Sequence, residues 1–139
     1  MAEKKQTSTY ESIMRDLKNR KFAPIYILQG EEPYFIDKIS DYLAENVLKP
    51  EERDFNQVIL FGAETSDQRV ADEERAYPMM ADYRVVIVKE SQNMKGNGSR
   101  LARYFEKPVA TTILVLCHKG GKIDGRSLVG KKIPPSAVV

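Results

Sequence analysis

Histidine and cysteine each occur once in this chain of 139 residues, at His118 and Cys117, and tryptophan is missing. One thiol cannot close an internal disulfide, which points to a reducing compartment. A lone Cys and a lone His also lack the spaced ligand set of a zinc site. Neighbours on a strand project to opposite faces, so this pair makes a poor nucleophile and base. It reads instead as a buried strand-end thiol beside a surface imidazole. No signal segment and no apolar run of membrane-spanning length occurs, so no membrane partner is expected.

What is present is ordinary for a globular domain. Hydrophobic residues make up 42% and charged residues 30%, enough for one core. Residues 1–139 read as a single domain with a disordered stretch over 1–6. The net charge of +2 says little about partners, but its distribution is uneven. Lys119, Lys122, Arg126, Lys131 and Lys132 face one acid, Asp124, giving the tail +4 and leaving about −2 elsewhere. This basic, Gly-rich tail over 119–139 suits nucleic-acid contact or simple solvation, and composition does not choose between them. It leads to Ala137-Val138-Val139, which resembles the start of a last strand.

The periodicity alternates between helix and strand. Ser8-Thr9-Tyr10-Glu11 has the form of a capping box, followed by Tyr10, Ile13, Met14 and Leu17 on one helical face, ending near Asn19. Pro24 to Leu28 reads as a first strand and Gln29 to Pro33 as a loop. The next helix carries Ile36, Ile39, Leu43 and Val47, and stops before Pro50. Lys49 to Asp54 reads as a charged loop, and Phe55 to Phe61 as a second strand closed by Gly62. Thr65-Ser66-Asp67-Gln68 caps a weakly amphipathic helix to about Tyr77, with Val70, Ala71 and Tyr77 as its buried positions. Val85 to Val88 is a β-branched run of the kind buried on both faces of a parallel sheet. A polar loop over Ser91 to Ser99, a short helix using Leu101, Tyr104 and Phe105, and a fourth strand over Thr111 to Leu116 complete the pattern. The prediction is an α/β fold, a three-layer sandwich with a mainly parallel sheet.

A first strand running into Gly30 and then a helix has the outline of a phosphate-binding loop, but the motif G-x-x-x-x-G-K-[ST] does not follow. Counted from Gly30, its second Gly falls on Phe35, its Lys on Ile36 and its Ser/Thr on Asp37. Glu31 and Glu32 add negative charge where phosphate would lie. Gly30, Glu31 and Glu32 therefore form a degenerate, non-binding phosphate loop. The metal-binding half fails too: the strand Val85 to Val88 runs into Lys89-Glu90, with a cation where the first carboxylate belongs. Asp72-Glu73-Glu74-Arg75 follows nothing apolar and reads as a solvated helix face. No catalytic residue, metal or cofactor is expected.

Tyr77-Pro78-Met79-Met80 is the unusual stretch. Pro78 cannot continue a helix, so two flexible apolar side chains stand on a connection just before the third strand. They either tuck under the sheet or face a partner, and by packing habit alone Met is core filler.

Three stretches together carry a family resemblance. Tyr26-Ile27-Leu28-Gln29-Gly30-Glu31-Glu32-Pro33-Tyr34-Phe35-Ile36, then Tyr77-Pro78-Met79-Met80-Ala81, then Arg84-Val85-Val86-Ile87-Val88-Lys89-Glu90 resemble the N-terminal domain of the bacterial DNA polymerase III delta subunit. The likeness extends over most of Thr7 to Lys119. It implies an AAA+/P-loop NTPase-like domain lacking a functional nucleotide site. It also implies a clamp-loader role in DNA replication, binding and helping to open the sliding clamp (the beta subunit) without ATP hydrolysis. The family's two apolar residues before the third strand enter a pocket on the clamp, and they fall on Met79 and Met80, with Tyr77 and Pro78 positioning them. Met-Met replaces the more familiar Leu-Phe, a change of shape but not of polarity. At least one of the pair is then expected to face outward. The resemblance implies that the family's later lid and collar domains lie beyond these residues, and contacts to other loader subunits would run through them, with DNA held in the full assembly. The resemblance places the protein in the bacterial cytoplasm, in a DNA polymerase holoenzyme whose catalysis lies elsewhere. Two alternatives stand beside it: a divergent P-loop nucleotide-binding domain, and DNA binding through the basic tail.

Overall fold

The protein is described by a computed structural model at residues 10–30, 33–74, 78, 79, 81–93, 104 and 111–119. Four strands form the sheet: β1 (Ile25–Gly30), β2 (Gln57–Phe61), β3 (Arg84–Lys89) and β4 (Thr112–Lys119). Their spatial order is β1-β4-β3-β2, and each neighbouring pair is parallel. Ile25 pairs with Leu114, Val85 with Ile113 and Gln57 with Val85.

Helices lie on both faces, as a parallel sheet requires. On one face α1 (Tyr10–Lys18) and α2 (Pro33–Asn46) send Ile13, Leu17, Ile36, Ile39 and Leu43 against Tyr26, Leu28, Val85, Ile87 and Val115. On the other, Val70 of α4 (Asp67–Glu74) and Tyr104 cover Ile25, Ile27, Val86, Val88, Leu114 and Leu116. The three-layer α/β sandwich with a parallel sheet is therefore present. Val85 to Val88 is wholly buried. At about 1.5–3 kcal/mol for each fully buried aliphatic side chain, this central run is a main source of stability.

Several boundaries differ from the sequence expectations. The stretch expected as a charged loop is largely a helix, α3 (Pro50–Asn56), so Phe55 and Asn56 are helical and β2 starts at Gln57. α2 has already stopped at Asn46, and Pro50 opens α3, because its missing N–H costs nothing at a first helical position. Glu51 and Glu52 suit the positive end of the dipole, and Glu52 Oε1 accepts the Lys49 N–H at 2.9 Å. β1 runs on through Gln29 and Gly30, since β4 also continues to Lys119 and pairs with it. Lys119 thus ends a strand rather than beginning a tail. Ser66 does cap α4, accepting the Arg69 N–H at 3.3 Å. The expected capping box at Ser8, the disordered stretch over 1–6, the buried positions Ala71 and Tyr77, the helix around Leu101 and Phe105, and the tail with its last strand fall outside what is described.

Arg20 closes α1 in the left-handed region, with φ 56°. Its N–H bonds the Leu17 carbonyl at 3.0 Å and the Lys21 N–H bonds that of Asp16 at 2.8 Å, satisfying the helix end. The Arg20 guanidinium then donates to the carbonyls of Asn46 (3.0 Å) and Val47 (3.2 Å), tying α1 to the end of α2.

Candidate protein-docking site

Met79 lies on the bend before β3 with its residue 62% exposed. Of the two settings open to a Met on this connection, core or solvent, Met79 has the second. Its backbone is nonetheless held. The Asn56 amide Nδ2 donates to the Met79 carbonyl at 2.8 Å, and the Met79 N–H donates to Asn56 Oδ1 at 2.5 Å. The amide thus copies the paired bonding of a strand partner. Asn56 itself is 1% exposed and is anchored by a further bond from Nδ2 to the Glu52 carbonyl at 3.0 Å. Buried polar groups are tolerated when so satisfied. A flexible apolar side chain therefore projects into water from a backbone fixed by a buried clasp.

A second set of bonds fixes the ground under that clasp. Arg84, at the start of β3, is buried. Its Nε donates to the Glu73 carbonyl at 2.8 Å and its Nη1 to the Phe55 carbonyl at 3.3 Å, while Nη2 bonds the Glu73 carboxylate. Glu73 also pairs with Arg69 at 3.1 Å. Glu73 is thus half-buried and engaged, not part of a solvated acidic face as its neighbourhood suggested. One guanidinium ties the end of α3, the end of α4 and the start of β3 together, using the planar fork that Lys lacks.

Gly30 lies at the other end of the sheet. Gly30 is the last residue of β1, whereas Met79 is held just before β2 and β3. Six strand residues at about 3.3 Å each separate the two ends by roughly 20 Å. Ile36, at the position of the P-loop lysine, is buried in the core, 4% exposed. The helix opens instead with Tyr34 and Phe35, whose rings lie 5.3 Å apart, with Tyr10 4.8 Å from Phe35. Lys89 Nζ reaches Ser40 Oγ at 3.1 Å and Asp41 at 3.4 Å. Glu31, Glu32, Tyr77 and Met80 are outside the described residues, and Pro78 is half-buried.

Residues 26–139 match the family described as DNA polymerase III, delta subunit. The chain belongs to the DNA polymerase III delta subunit family. A relative from Bacillus subtilis (strain 168), DNA polymerase III subunit delta, is 29% identical over 135 residues, covering 90% of this chain and 39% of its own length. Among solved structures, the Bacillus subtilis DNA clamp loader delta protein superposes with a TM-score of 0.80 at 25% identity, over 89% of this chain and 39% of that one. A gamma subunit-related protein of DNA polymerase III from Thermotoga maritima shares the fold, with a TM-score of 0.52 at 13% identity, over 91% of this chain and 44% of that one. The chain thus spans about two fifths of the length of the delta relatives it matches.

Within this delta-family domain, the strand-end pair divides as β alternation requires. Cys117 is fully buried on the α1/α2 face and His118 is half-buried on the other. His118 is less exposed than the surface setting expected for it, and burial holds its pKa below the usual histidine value. The residues that sequence reading missed are Asn56, Phe55 and Arg84. Asn56 had no local signal. Arg84 did carry one, a cation standing immediately before the apolar run Val85 to Val88.

Proposed function

We propose that this chain is the clamp-binding part of a delta subunit, and that it acts by docking rather than by catalysis. Met79, together with Met80 and positioned by Tyr77 and Pro78, enters an apolar pocket of the sliding clamp and helps to open the ring in the bacterial cytoplasm. The observation that carries this reading is the exposed Met79 side chain on a backbone clasped by buried Asn56. A fixed backbone loses little further freedom on binding, so more of the burial energy appears as affinity. Family membership supports the loader assignment, and the further loader subunits and DNA would be met by the longer assembly. The core position of Ile36 supports a mechanical role for the domain without ATP hydrolysis.

Burying the exposed part of Met79 is worth about 1–2 kcal/mol, or roughly 5–30-fold in Kd. Met79→Ala is therefore expected to weaken binding to the purified sliding clamp by that factor in a calorimetric titration. The melting temperature of the free chain should stay within about a degree, because the side chain contributes little to the core. Unchanged clamp affinity in both Met79→Ala and the double change with Met80→Ala would defeat the proposal.

A further inference from the structure

The short helix beside Met79 has its polarity reversed. In α3 the aromatic Phe55 is 66% exposed while its neighbour Asn56 is 1% exposed. A helix that contributed only to the core would bury the ring and leave the amide in water. Single exposed apolar residues are common on proteins. Phe55 is different because it is joined to a second one. Asn56 grips the Met79 backbone through both polar atoms of its side chain, and Arg84 holds the Phe55 carbonyl at 3.3 Å. With about 3.8 Å between consecutive Cα atoms and one hydrogen-bonded side chain between the segments, Phe55 and Met79 start within roughly 10 Å of each other. Two large apolar side chains thus stand on one braced unit.

We propose that Phe55 is a second apolar anchor for the sliding clamp, packing on the clamp surface beside the pocket that receives the methionine segment. This inference rests on the clamp-docking reading of Met79. The clamp is the occupant because buried Asn56, next to Phe55 in α3, holds the Met79 backbone through both polar atoms of its side chain, so a partner seated on Met79 lies within reach of Phe55. An aromatic side chain has two torsions to fix and a large face to bury, the properties of residues that dominate interface affinity.

The test titrates the full chain carrying Phe55→Ala, Phe55→Lys or Met79→Ala against purified sliding clamp, with thermal melts of each free chain. Phe55→Ala is expected to weaken binding roughly tenfold, and Phe55→Lys at least as much. Both free chains should melt as the parent does, because the ring lies mostly in solvent. Phe55→Leu, which keeps an apolar side chain, should retain intermediate affinity and guards against a folding artefact. If both Phe55→Ala and Phe55→Lys bind like the parent while Met79→Ala weakens binding, the Phe55 inference fails and the methionine reading stands. If Phe55→Ala, Phe55→Lys and Met79→Ala all bind like the parent, both fail. If the Phe55 changes alter only self-association in sedimentation, the occupant is a second copy of this chain and the inference is overturned.

Discussion

Replacing Asn56 with alanine removes the clasp on Met79 without touching the exposed side chains. The amide makes three hydrogen bonds, at 2.8 and 2.5 Å to the Met79 backbone and 3.0 Å to the Glu52 carbonyl. Each is worth about 1 kcal/mol net. The exposed bend lets water reach the freed Met79 groups, so the net value applies rather than the full desolvation cost, and the sum is about 2–3 kcal/mol. For a domain of this size that lowers Tm by roughly 6–15 °C. Calorimetry or circular dichroism would measure it. Freeing the Met79 backbone adds about 1–2 kcal/mol of ordering cost on docking. Clamp affinity should therefore fall roughly 5–30-fold even at a temperature where the variant is fully folded. Asn56→Asp is a sharper probe. It keeps one acceptor but turns a carboxylate oxygen toward two carbonyls. Repulsion and burial raise its folded-state pKa above that of an unfolded Asp. Its stability should be best at low pH and fall as pH rises through that raised value. A variant Asn56→Ala that melts with the parent would refute the clasp. One that melts lower yet binds clamp with parental affinity when folded would refute its positioning role.

Two further outcomes follow from the same structure. Arg84→Met should cost about 2–3 kcal/mol in a urea titration. This is somewhat less than for a fully buried pair, because the Glu73 carboxylate keeps access to solvent. His118 has its pKa lowered by burial, so its contribution is present above the unfolded value near 6.5 and is lost as pH falls through the folded one. Melts between pH 7.5 and 5 should show that acid-side loss in the parent and a flatter profile in His118→Gln.

The legible parts of the fold were those with a local period. Val85 to Val88 announced a strand buried on both faces, and Ile36, Ile39 and Leu43 announced a helix over one of them, because burial of a strand or helix face leaves a repeat of two or of three to four residues. The missing P-loop lysine was equally plain at Ile36, since a motif is a spacing along the chain. The Pro50 region was misread because a proline read as the stop of one helix stands at the start of the next. What no local pattern held was the pairing of Asn56 with Met79, 23 residues apart, or the reach of Arg84 to Phe55, 29 apart.

The amino-acid order by itself determined the alternation of strand and helix, the absence of the G-x-x-x-x-G-K-[ST] spacing after Gly30 and the presence of an apolar pair before the third strand. Only the tertiary structure decided the order β1-β4-β3-β2, the outward setting of Met79 and the reversal of Asn56 and Phe55. Propensity and periodicity act over a few residues, whereas these outcomes depend on which distant polar groups find one another when the sheet closes over its core.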